Sequence, residues 1–151
     1  MDITPEQVKQ LRDQTGISVM ECKKALEASE GDMDKALAFL RERAAASVGK
    51  KADRELGAGA IASYVHNTAQ SGALVLLACE TDFVSKNEEF VAMVRDIAMH
   101  ATAMRPASVE ELLTQPFIKD GEKTVADLIS AATQKFGERV EVTQLSVFSV
   151  R

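Results

Sequence analysis

The sequence predicts an α+β protein: an N-terminal three-helix bundle, a linker, and a second unit with a three-stranded, mostly antiparallel sheet covered by helices. Three observations carry that expectation. Residues 1–46 hold three capped stretches with apolar side chains at helical spacing. Residues 47–59 are rich in charge and contain Gly57 and Gly59. From Ala60 onward the apolar pattern alternates, and one run, Ala73 to Ala78, is almost continuously apolar, as in a buried strand.

Thr4-Pro5-Glu6-Gln7 opens the first helix with an N-cap residue, proline at the first helical position and glutamine at the capping-box position. Ile3, Val8 and Leu11 form its apolar stripe, and Thr15-Gly16 stops it. Ser18-Val19-Met20-Glu21 repeats the capping-box pattern, and Cys22, Ala25 and Leu26 continue the inward face. Gly31 ends the second helix and Asp32 caps the third, whose apolar face is Met33, Ala36, Leu37 and Leu40 and which runs to about Ala46. A bundle this small has a marginal core. Ser47 to Gly59, with Lys50-Lys51 and Asp53-Arg54-Glu55, reads as a solvated linker.

In the second unit, 60–151, Ile61, Ser63 and Val65 share one strand face and Ala62, Tyr64 and His66 the other. Asn67 to Gly72 is a turn-rich hairpin loop, and Ala73 to Glu80 returns as the central strand. A long helix follows, from about Asn87 to Ala103, with Phe90, Val94, Ile97, Ala98 and Ala101 inward. Pro106 ends that region, and Ser108-Val109-Glu110-Glu111 caps a short helix. Gln115 to Ile118 is extended and Asp120-Gly121 a turn. Thr124 caps a helix through Phe136, with Gly137 as its stop. Val140 to Val150 alternates as the last strand, with a phase slip that predicts a bulge near Thr143.

Composition narrows the function. With 151 residues, 46% apolar and 27% charged, the chain suits one ordinary domain or two very small ones. A net charge of −5 argues against non-specific nucleic-acid binding, which depends on Lys and Arg neutralising phosphates. Cys22 and Cys79 belong to no metal-ligand or redox spacing and read as reduced, buried thiols. Neither a signal-peptide core nor a membrane-length apolar run appears, so the cytoplasm is the default compartment. Phosphate-binding glycine loops are absent, and His66 and His100 lack catalytic partners at motif spacing. Glu80 and Asp82 as an acid–base pair is a weak alternative. The chain is read as a non-enzyme that needs no cofactor or metal.

Two apolar features stand out against that background. Val19 and Met20 are adjacent in the first turn of the second helix, so they cannot face the same way. Either the bundle core takes them, or one is left at the turn as an adaptable contact. Cys79-Glu80-Thr81-Asp82-Phe83-Val84 lies where the central strand leaves the sheet. A Phe there is most often core, and Asp82 most simply a turn or cap residue. The competing reading is a rigid loop that presents an aromatic wedge to a partner.

Four stretches give the chain a strong resemblance to the elongation factor Ts family, the guanine-nucleotide exchange factors of translation elongation factor Tu. Leu11 to Gly16 with Met20 to Leu26 is similar to that family's N-terminal signature. Cys79 to Val84, followed by Asn87 to Phe90, resembles its core signature. Asp96 to His100, and Gln115 to Asp120 with Lys123 to Val125, resemble later ones. The resemblance implies a ubiquitin-associated-like bundle that grips the G domain of elongation factor Tu through Arg12, Val19 and Met20. It implies that Thr81, Asp82, Phe83 and Val84 approach the nucleotide and dislocate its magnesium ion. Ile118, Lys119, Phe136 and Gly137 become candidate contacts to another domain of that partner. Many family members carry a long helical insertion or a second core between the early and late motifs. Here only Ala107 to Thr114 separates Pro106 from Gln115. The single core resembles the short forms, which can act as homodimers. The alternative to exchange is an adaptor that binds elongation factor Tu without accelerating release.

Overall fold

The structure, a computed structural model, describes residues 2–151. Three helices come first: α1 (Pro5–Thr15), α2 (Val19–Ala28) and α3 (Met33–Lys50). Their starts follow local chemistry. Thr4 and Gln7 form a reciprocal capping box, and the hydroxyl of Ser18 and carboxylate of Asp32 accept the N–H groups of Glu21 and Lys35. Glu21 does not complete the box at Ser18; its carboxylate pairs with Lys24 and Arg43 instead. Gly16 ends α1 in the left-handed region at φ 70°, with its N–H donating to the Arg12 carbonyl. Leu11, Ile17, Cys22, Ala25, Leu26, Ala36 and Leu40 form the buried cluster of this region.

α3 continues past the expected end near Ala46, through Ser47-Val48-Gly49, to Lys50. Packing overrides the weak helix propensity of those residues: α3 lies along the helix α7 (Val125–Phe136), with Ala44 buried. A cleft of about 280 Å³ remains between the two, with Ile17 and Leu40 on one wall and Met93, Leu128 and Phe136 on the other. The non-helical connection is therefore shorter than the expected 47–59, since the first strand already begins at Ala58.

The sheet is built from β1 (Ala58–Val65), β2 (Ser71–Cys79) and β5 (Glu141–Ser149), in the order β1-β2-β5 with both pairings antiparallel. The architecture is thus the expected α+β class, with the apolar run in the central strand. The ladder of β2 with β5 pairs Leu76 with Gln144 and Leu77 with Val142, so Thr143 is the extra residue of a bulge. That insertion returns Val142 and Leu145 to the same, inward face as Ala73, Val75, Leu77 and Cys79.

The long helix α5 (Glu88–Met104) crosses β1 and β2 and buries Phe90, Val94, Ile97, Ala98 and Ala101. The short helix α6 (Val109–Thr114) follows, capped by Ser108. A second, two-stranded sheet pairs β3 (Pro116–Phe117) with β4 (Asp120–Thr124). The turn expected at Asp120-Gly121 lies instead at Ile118-Lys119, because Phe117 pairs with Asp120. His100 fixes this hairpin. It is fully buried, its Nδ1 accepts the Ile118 N–H at 3.1 Å, and its Nε2 is 3.0 Å from the Gln115 amide oxygen. With Nδ1 accepting, Nε2 carries the proton that goes to Gln115. His100 is thus a satisfied core residue.

Candidate functional site

The apolar strand β2 ends at Cys79, and the chain turns into a single-turn helix, α4 (Asp82–Ser85). Alternation decides what that turn shows to solvent. Val84 and Ser85 are buried, which pins the turn to the core, while Phe83 points away from the core and is 93% exposed. A Phe of which almost the whole surface meets water stabilises nothing within the chain. The core reading of Phe83 therefore fails, and the position is free to serve an external contact. Asp82 is the first residue of the turn, and Thr81 holds the N-cap position.

The base of this turn is fixed by several hydrogen bonds. Glu138 Oε1 accepts the N–H of Glu80 at 3.1 Å and of Thr81 at 2.9 Å. Its Oε2 accepts the Thr81 hydroxyl at 2.6 Å, so that hydroxyl is not available to cap α4. The Cys79 thiol donates to the Thr81 carbonyl at 3.3 Å. Glu80 in turn accepts the Arg139 N–H and pairs with the Arg54 guanidinium at 3.6 Å. Arg139 Nη1 donates to the Arg54 carbonyl at 2.7 Å. Glu138 and Arg139 carry no reading from sequence, and Arg54 is read there only as part of the solvated linker, whereas it meets Glu80 and Arg139. One local signal pointed to the first: Glu138 directly follows the glycine that ends α7, where a carboxylate faces the negative end of the helix and needs a partner elsewhere.

The candidate residues fall into three groups. Arg12, Val19 and Met20 are all exposed around the α1–α2 turn, Val19 by 51% and Met20 by 68%. Both apolar residues are outside, while Ile17, just before the Ser18 cap, is buried in the cluster with Leu11 and Cys22. The second group joins Phe136 and Gly137 to the Thr81–Val84 turn through Glu138. Phe136 packs edge-on against Phe90 with ring centroids 5.9 Å apart, and Gly137 is the left-handed C-cap of α7 at φ 71°. Ile118 and Lys119 form the third group at the β3–β4 tip, with Ile118 half exposed and Lys119 paired to Asp96 at 3.2 Å.

Both cysteines are free and buried. Burial pushes each thiol up from its ordinary value, and Glu138 is the next contributor at Cys79. With Cys79 fully covered, no second chain reaches its sulfur unless the Thr81 turn opens. Among the described residues, no cluster of His, Cys, Asp and Glu could hold a metal, and no helix is long and apolar enough to cross a membrane.

Comparison with known proteins bears on the same region and beyond it. The family described as Elongation factor TS matches residues 80–151. The elongation factor Ts of Leptospira biflexa is 37% identical over 195 aligned residues, covering 99% of this chain and 98% of its own length. That of Thermosipho melanesiensis is 38% identical over 193, covering 98% of each. That of Chloroherpeton thalassium is 42% identical over 149, covering 98% of this chain but 52% of its own length. An alignment of 195 positions on a chain of 151 residues means that the Leptospira protein carries internal sequence this chain lacks. Near-complete coverage of both sequences at this identity makes the chain a member of the elongation factor Ts family, and so a translation elongation factor.

Proposed function

We propose that the chain is a guanine-nucleotide exchange factor for elongation factor Tu, with Thr81, Asp82, Phe83 and Val84 as the element that dislocates the partner's magnesium ion. The observation that carries this reading is the exposure of Phe83 on a turn whose next two residues are buried. Such a residue is an anchor without a pocket: rigidly offered, and stabilised only when a partner covers it. The exposed Arg12, Val19 and Met20 grip the partner's G domain, and Ile118, Lys119, Phe136 and Gly137 contact a second domain. On this reading the helical bundle and the α+β core are two partner-gripping units joined by the linker, working in the cytoplasm without nucleic acid or membrane.

No bond is made or broken by an exchange factor, so no enzyme chemistry is required. Its task is to bind the nucleotide-free partner more tightly than the GDP-bound one. Linkage then requires GDP to leave more readily from the ternary complex. Calorimetric titration of this protein into nucleotide-free and GDP-loaded elongation factor Tu tests that directly. A much tighter Kd for the nucleotide-free form supports the reading, and equal affinities contradict it.

A homodimer forms part of the proposal. Ile61, Val65, Leu74 and Phe148 lie on the sheet face opposite α5, and each is about half or more exposed. Together they make an apolar surface suited to a second copy. Sedimentation equilibrium should find a dimer that Phe148→Asp dissociates; a wild-type monomer at all concentrations contradicts it.

One observation favours a second reading. The internal sequence present in the Leptospira relative and absent here removes surface that could grip the partner. A chain that kept the bundle but lost efficient exchange would bind elongation factor Tu as an adaptor.

A further inference from the structure

We propose that Glu138 is a positioning residue for exchange: its carboxylate fixes the backbone at Glu80 and Thr81 and so sets the direction in which Phe83 is presented. The inference rests on the reading of Thr81–Val84 as the magnesium-dislocating element and deepens it.

Three donors converge on this one side chain. The N–H groups of two consecutive residues reach Oε1 at 3.1 and 2.9 Å, and the Thr81 hydroxyl reaches Oε2 at 2.6 Å. Hydrogen bonds to an ionised carboxylate are shorter and roughly twice as strong as neutral ones. The contact spans 57 residues of sequence, so it ties the turn to a separate part of the fold.

Phe83 has little else to fix it. Its ring is 93% exposed, so neighbouring side chains do not hold it. Only the backbone orients it, through Thr81 on one side and the buried Val84 on the other. Local contacts hold only the carbonyl of Thr81, which accepts the Cys79 thiol and the Ser85 N–H; Thr81 sits at the N-cap of α4 but makes no side-chain cap, and its hydroxyl and N–H go to Glu138. The N–H and hydroxyl of Thr81 are therefore held from outside the turn.

The opposing segment is built for this. α7 ends at Gly137 in the left-handed region, φ 71°, which swings the chain back toward the end of β2. Glu138 then sits at the negative end of α7, a poor place for a carboxylate with no other partner. The clasp is reciprocal, since Glu80 accepts the Arg139 N–H and holds the Arg54 guanidinium. A wedge that is ordered before contact loses less entropy on binding, which is the advantage of holding the turn rigidly.

The test is a double-mutant cycle read by stopped-flow release of a fluorescent GDP analogue from elongation factor Tu. Glu138→Ala should lower the maximal exchange rate at saturating protein by about tenfold, with KM changed by less than about twofold. In the Phe83→Ala background the same substitution should have almost no further effect, because Glu138 acts through Phe83. Hydrogen exchange should show the Glu80 and Thr81 amides losing protection while the β2 amides keep theirs. Glu138→Gln, which keeps an acceptor for both amides, should restore most of the rate. Where Glu138→Ala fails to fold, Glu138→Asp, which keeps the charge but draws the carboxylate back by one methylene from all three donors, carries the same cycle. A tenfold loss repeated in full in the Phe83→Ala background would overturn the positioning role, as would full activity of Glu138→Ala. If Phe83→Ala itself exchanges normally, the wedge reading fails instead, and the two failures are told apart.

Discussion

Replacing Phe83 by Ala removes the one large apolar side chain that is almost wholly exposed on the turn, at 93%. The effect on the isolated protein should be small, within about 0.5 kcal/mol, because the ring packs against nothing. The effect on exchange should be large. A Phe that becomes buried loses about 150–250 Å² of accessible surface. At about 25 cal/mol per Å² that is about 4–6 kcal/mol, an upper bound on what the ring contributes to the complex. Truncation of a well-buried Phe to Ala costs about 3–5 kcal/mol. One decade corresponds to about 1.4 kcal/mol, so on the proposed wedge reading the ring would account for roughly two to four decades of coupling between this protein and GDP. On the same reading, larger acceleration would draw on magnesium displacement and on the contacts of the flanking regions. The assay is GDP-analogue release at fixed magnesium and saturating Phe83→Ala, with a thermal melt as the fold control. A loss of at least about a hundredfold with an unchanged melt is expected. Less than about a tenfold loss would refute the wedge reasoning, because the ring would then contribute under 1.4 kcal/mol to the barrier.

Other consequences follow from the same geometry. Met20→Ala should raise the Kd for elongation factor Tu by about tenfold or more, from about 1.5–3 kcal/mol of lost burial, and leave the maximal rate unchanged. Gly137→Ala meets no steric obstacle but keeps a φ of 71°, so it should cost about 1–2 kcal/mol and lower the melting temperature by a few degrees. The two thiols give a signed pH dependence. Burial raises both above their ordinary value, so the unfolded chain ionises its thiols first as pH rises. Their contribution is fully present below the ordinary thiol range and is lost progressively above it, up to the folded-state values. Melts between about pH 8 and pH 10 should show a steeper decline for the wild type than for the Cys22→Ala/Cys79→Ala variant. The native thiols should also react slowly with a thiol reagent until the chain is unfolded.

Much of the fold was legible because its signals are local. Thr4, Ser18, Asp32, Ser108 and Thr124 each cap the helix that the sequence pattern placed after them. The bulge at Thr143 was legible because a single residue shifts an alternating pattern by one, and the core then tolerates only one register. What the sequence did not carry depends on contacts between distant segments. α3 outruns its weak last residues because α7 supports it, and the hairpin turn sits at Ile118-Lys119 because His100 holds the Ile118 N–H. The candidate site divides in the same way. The motif Thr81 to Val84 was visible as residues, but core and wedge readings of Phe83 compete in any sequence. Only the burial of Val84 and Ser85 leaves Phe83 facing solvent. Val19 and Met20 are both exposed and the nearby Ile17 is buried instead, a choice among three neighbouring apolar residues that spacing alone leaves open. Glu138 lies 57 residues from its partner Thr81, and only its awkward place after a helix C-cap hinted at a role.

The central claim is that this single-core chain, without the internal sequence of its longer relatives, turns binding into nucleotide release. The most direct test is stopped-flow release of a fluorescent GDP analogue from elongation factor Tu in magnesium, with this protein at substoichiometric concentration. Strong acceleration over many turnovers is the result expected of an exchange factor. Binding to elongation factor Tu with an unchanged release rate would contradict the claim and leave an adaptor in its place.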